Sequence, residues 1–159
     1  MEGLYTWLEA LPISTFIRES NSLLAFPTFL FMHTFGVSLV AGGSTIINLA
    51  LLGMWPKGSI KPLEKMYPVM WLGFWINLIT GFSLLVADAA GRLGNPVFYI
   101  KILGVIVGVA VLMMMRKRVF GDPNLDTAPI PGSTKMLAWI SIGAWFVAIL
   151  GGRLLAYTG

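Results

Sequence analysis

The sequence has no cysteine, a single histidine and seven acidic residues, and only 11% of its 159 residues are charged. Without cysteine there can be no disulfide framework, zinc–thiolate site, iron–sulfur cluster or thiol nucleophile. So few charges exclude an ordinary water-soluble domain, in which about a quarter of residues are charged. The residues that usually carry acid–base or nucleophilic chemistry are almost missing, and no catalytic constellation is visible.

Apolar side chains fill the space left. They make up 57% of the chain, and the mean hydropathy is +0.81. Lys and Arg outnumber Asp and Glu by 11 to 7. In a soluble domain the resulting pI near 9.6 would raise nucleic acid as a partner. In a membrane chain the same excess marks loops that face anionic lipid, so the lipid bilayer is the expected partner and nucleic acid is not.

Uncharged intervals locate the membrane spans. None of the residues between Glu19 and Lys57, Lys65 and Asp88, Lys101 and Arg116, or Lys135 and Arg153 is charged. Crossing about 30 Å of hydrocarbon takes roughly 20 apolar residues in a helix. The expected fold is an all-α integral membrane protein: one domain over 1–159, a four-transmembrane-helix bundle with spans at about 23–52, 69–87, 97–115 and 136–156. Because the third interval is short, Lys101 must lie in the first turns of its helix with its ammonium drawn back toward the headgroups.

The segment 1–20 does not read as a cleavable leader, because Glu2 and Glu9 stand where basic residues belong. Leu4, Trp7, Leu8 and Leu11 recur at helical spacing, which predicts a short amphipathic helix at the membrane surface, interrupted at Pro12. The Pro-rich stretch 121–132 predicts a loop. Seven Lys and Arg fall in the connections after the first and third spans, and four on the other side. By the positive-inside rule both termini face outward, which in a bacterial inner membrane is the periplasm.

Ionisable groups within spans are functional candidates. His33 lies inside the first span, Asp88 ends the second, Lys101 begins the third and Arg153 lies near the end of the fourth. All four belong to the periplasmic half under this topology. One reading joins them in a ligand-binding pocket open to the periplasm, floored by His33 and rimmed by Asp88, Lys101 and Arg153, able to hold a lipid, a quinone or a haem. The other makes the rim residues interfacial anchors and His33 a hydrogen-bonding link between helices, with Thr80 and Ser83 as its partners. His33 is also the residue that would bind a metal, as an axial ligand of haem b. The nine methionines read as apolar filler, since Met113, Met114 and Met115 lie at the opposite end of the bundle from His33. Gly104 and Gly108, Gly36 and Gly43, and Gly151 and Gly152 allow close helix approach within the chain, in self-association or against other subunits. Trp7, Trp55, Trp71 and Tyr99 fall where interfacial aromatics are expected.

Several stretches together resemble a family of small four-helix bacterial inner-membrane proteins of unknown function. They are Trp7-Leu8 with Pro12-x-Ser14, His33-x-x-Gly36 followed by Leu52-Gly53, Gly94-Asn95-Pro96-Val97-Phe98 with Lys101, and Gly152-Arg153-Leu154-x-Ala156-Tyr157. The resemblance implies one four-helix domain and a recurring histidine in the first span, with Lys and Arg where Lys101 and Arg153 stand. It implies no established activity. Family members often carry a second histidine where this chain has Met113 to Met115. Their layout is similar to membrane domains associated with copper uptake and b-type haem. The function expected from these features is a non-catalytic accessory or anchor subunit of a larger respiratory or oxidoreductase complex. The alternative is a small-molecule or metal-ion permease or binding protein using His33, Lys101 and Arg153.

Overall fold

The computed structural model describes residues 2–19, 25–54 and 58–158. Among these, 83% are helical and none forms a strand, as a bilayer requires of a chain that must pair its own backbone groups. Two short helices, α1 (Glu2–Glu9) and α2 (Pro12–Glu19), precede the first span, α3 (Ala25–Leu51). A 3-10 turn (Lys61–Met66) leads into α4 (Tyr67–Val86), and a single turn and a half, α5 (Ala89–Leu93), joins it to α6 (Pro96–Arg118). The last span is α7 (Gly132–Thr158). Four helices are thus long and apolar enough to cross a membrane.

The helices overrun the uncharged intervals. Arg116, Lys117 and Arg118 form the last turn of α6, where cations complement the exposed carbonyls and the helix dipole. Lys135 lies in the first turn of α7. Pro96 starts α6 behind Asn95, whose side chain accepts from the Val97 amide at 2.9 Å, so the cap and the proline together define that start. Pro12 does not merely interrupt the N-terminal helix, as the sequence suggested; it opens α2, where a missing amide hydrogen costs nothing. The α2 helix packs on the bundle with Ser14 and Ile17 buried. Of the expected interfacial aromatics, Trp7 and Tyr99 are exposed and Trp71 is partly buried, while Trp55 and the first residues of the expected first span, 23–24, lie outside the described set.

Packing divides the spans into two hairpins, α3 with α4 and α6 with α7, joined mainly by α3 against α7. Glycines set the closeness of both seams. A Cβ on Gly36 would fall 2.8 Å from the Asn77 nitrogen and from the Gly73 carbonyl. One on Gly104 would fall 2.9 Å from the Ala144 carbonyl. Gly108 makes room for the Trp145 indole in the same way. These small faces are therefore used inside the chain.

The two hairpins are bonded to each other in the half nearer the long connections 52–66 and 119–131, called here the loop face. Ser44 and Ser141 hydroxyls are 3.0 Å apart, and the Asn48 amide donates to Ser141 Oγ at 3.0 Å. Tyr67 donates its hydroxyl to the Leu112 carbonyl at 3.3 Å and meets Phe120 edge-on. The contiguous apolar core, with Ile47, Leu51, Met70, Leu112 and Met115, lies in this half and the middle of the bundle. At the opposite end, the α5 face, α1 and α5 are clasped together. The Ala90 amide donates to the Glu9 carboxylate at 3.1 Å, and Arg18 pairs with Glu9 at 3.5 Å.

Candidate functional site

His33 lies eight residues into α3 and is half-buried against α4. Its Nδ1 is 3.2 Å from the Asn77 carbonyl and 3.2 Å from Thr80 Oγ. The Thr80 hydroxyl donates to the Ile76 carbonyl at 2.6 Å. Nδ1 thus has the Asn77 carbonyl as an acceptor and the Asn77 amide Nδ2, 3.3 Å away, as a donor, so its role follows the ring tautomer. Asn77 closes the arrangement, donating from Nδ2 to the His33 carbonyl at 3.0 Å. Gly81 gives the ring its seat, since a Cβ there would come 2.9 Å from Cε1.

Thr80 thus partners His33, while Ser83 bonds back to the Ile79 carbonyl of its own helix. Asn77, with the largest share of these contacts, is the residue sequence reasoning missed. Its signal was present: Asn77, Thr80 and Gly81 fall three and four apart, on one face of α4.

As an axial haem ligand His33 would use Nε2, which has Asn77 Nδ2 at 3.5 Å. Among the described residues no three His, Cys, Asp or Glu side chains gather as a metal site. The contacts present make His33 a hydrogen-bonded link between α3 and α4.

Lys101 stands on α6, in its second turn, with its stem laid over α7. A Cβ on Gly151 would be 3.1 Å from Lys101 Cβ, and one on Gly152 would be 3.9 Å from Nζ. That passage presses on position 151, where a Cβ would force the lysine stem to give, while a Cβ at 152 would make only ordinary contact. The ammonium is half-buried and makes no hydrogen bond or ion pair among the described residues. His33, Lys101 and Arg92 lie within electrostatic range of one another. Arg92 in turn bonds Asp88 at 3.0 Å, so the α5 face gathers His33, Lys101 and, through Arg92, Asp88.

Arg153 stands apart from this group. It is exposed and lies over the Tyr157 ring, 5.2 Å from its centroid. The physical reason is angular: each residue turns about 100° around a helix. With Gly151 facing Lys101, Arg153 is therefore carried to the far side of α7. Comparison of the chain with models of known protein families, with curated proteins and with solved structures finds no match.

Proposed function

We propose that this chain is a non-catalytic accessory or anchor subunit of a larger bacterial inner-membrane complex, with the α5 face periplasmic and Lys101 holding the oxygen-bearing edge of a lipid or quinone. One observation carries the reading. His33 is tied to a neighbouring helix, whereas Lys101, in the second turn of α6, is left with an ammonium that has no hydrogen bond or ion pair among the described residues. An ammonium in that position is costly unless an acceptor reaches it. A lipid phosphate or a quinone carbonyl supplies one.

Other features support a scaffold role. The buried polar groups of α3, α4 and α7 bond mostly to one another or to backbone, which stiffens the bundle. The outer faces carry exposed Phe31, Trp75, Phe82, Leu103, Ile106 and Phe146, suited to lipid or to a neighbouring subunit. All four spans are continuous helices, whereas transporters commonly break helices near the midplane to build their sites.

The test is purification of the tagged chain from its own membranes in mild detergent. The expected result is a fixed stoichiometry with at least one other membrane chain and a colourless preparation. A Soret band that disappears in His33→Ala would overturn the helix-link assignment. A chain that isolates alone and carries solute flux in proteoliposomes would overturn the accessory role.

A further inference from the structure

The loop face holds a second site, independent of Lys101. Where α4 begins and α6 ends, an open cavity of about 590 Å³ is lined by Ser59, Lys61, Glu64, Lys65, Arg116 and Asp126. Tyr67 is the first residue of α4, and Arg116 opens the basic last turn of α6. The cavity therefore sits at the depth where a bilayer changes from hydrocarbon to headgroups.

Its cations have no carboxylate ion pair among the described residues. Asp126 accepts from the Ser59 hydroxyl and from the Ile60 amide at 2.6 Å, with Lys61 N at 3.3 Å. Its oxygens are committed to tying the two connections together, and those hydrogen bonds hold its carboxyl below the usual carboxylate range. The Lys61 ammonium donates to the Phe120 carbonyl, a neutral acceptor that fixes the side chain without cancelling its charge. Arg116 lies over the Tyr67 ring, 5.5 Å from the centroid. That cation–π contact leaves its charge uncancelled, as no carboxylate pairs with it among the described residues. Lys65 likewise has no ion pair there. Glu64 is the one lining carboxylate without such a commitment.

We propose that this cavity binds a phosphate group, presented at this depth as the headgroup of an anionic phospholipid, with Arg116 forking onto the phosphate oxygens and Lys61 and Lys65 flanking it. Guanidinium and phosphate match in bidentate geometry. A basic pocket between spans at the headgroup level is the setting in which such lipids are retained. Ser59 adds a hydroxyl at the rim.

The experiment is native mass spectrometry of the full chain in detergent, titrated with phosphatidylglycerol, phosphatidylcholine or inorganic phosphate. The wild type should retain phosphatidylglycerol at least about fivefold better than phosphatidylcholine, the effect expected of one well-placed cation at a lipid surface. Arg116→Gln and Lys65→Gln should each remove most of that preference, and Arg116→Lys should restore it only in part. Glu64→Gln should strengthen it. Lys135→Gln, on the same face but outside the cavity lining, should leave it unchanged. Equal retention of the two lipids by the wild type, or an equal loss in Lys135→Gln and Arg116→Gln, would overturn the proposal. Saturable binding of inorganic phosphate without lipid preference would assign the cavity to a free phosphate and overturn the headgroup.

Discussion

His33 and Asn77 are bonded across the α3–α4 seam in both directions: the ring Nδ1 lies 3.2 Å from the Asn77 carbonyl, and the Asn77 amide donates to the His33 carbonyl at 3.0 Å. A side chain on each helix thus satisfies the other helix's backbone. Hydrogen bonds between spans contribute about 0.6 kcal/mol on average and up to about 1.7. Asn77→Leu removes the side-chain half of this exchange and should lower stability by about 0.6–1.7 kcal/mol, read by unfolding in mixed micelles. No change would show that the Asn77 side chain contributes nothing across the seam.

Gly81 offers a sharper version of the same test. A methyl at this position meets the imidazole at 2.9 Å, so Gly81→Ala should destabilise the wild type. Combined with His33→Ala it should cost little, because the clashing ring is gone. Neighbouring residues couple in this way and distant ones do not. Additive losses in the double variant would place the ring elsewhere.

The helix seams predict a contrast among glycines. Gly36→Ala and Gly104→Ala drive a Cβ to 2.8 and 2.9 Å from the backbone of the facing helix, and overpacking of this kind costs about 1–3 kcal/mol. Gly42 and Gly143 have nothing within 4 Å, so alanine there should be neutral or slightly stabilising. Thermal unfolding of the four variants separates the classes.

How much of this was legible in the sequence differs by length scale. The uncharged intervals located all four spans, because a charge is costly anywhere along a lipid-facing helix. The spacing of Gly104 and Gly108 indicated a close seam, which the α6–α7 packing supplies. Direction around a helix was harder. Arg153 and Gly151 are two residues apart, yet only the glycine faces Lys101. The Ser44, Asn48 and Ser141 cluster joins residues up to 97 positions apart, and no local pattern announces which hydroxyl a buried asparagine will find. Asp126 held to Ser59 and Ile60 is likewise a meeting of two connections that neither reveals alone.

That loop contact has a pH dependence of defined sign. Asp126 is held below the usual carboxylate range by the Ser59 hydroxyl first and then by the Ile60 amide. A carboxyl lowered by folding adds stability above its unfolded value of about 3.9 and loses it as pH falls through the folded value. Asp126→Asn should therefore be less stable than wild type at neutral pH. The gap should close progressively below about pH 4, as measured by melting temperature in detergent. A gap independent of pH would remove the carboxylate from the account.

Topology can be read chemically, because the chain has no cysteine to compete with an introduced one. Gly3→Cys should react with an impermeant maleimide in intact spheroplasts, and Ser133→Cys only after permeabilisation. The reverse pattern would turn the α5 face, and Lys101 with it, toward the cytoplasm.

The most direct test of the central claim is the amount of lipid or quinone that remains with Lys101→Met after purification. Methionine keeps an unbranched stem over Gly151 and Gly152 and removes the charge. Wild type should carry a stoichiometric lipid or quinone, identified by mass spectrometry of the organic extract, and Lys101→Met should lose it while its melting temperature holds. Equal content in the two proteins would contradict a ligand-holding role for Lys101 and leave its ammonium as a membrane anchor.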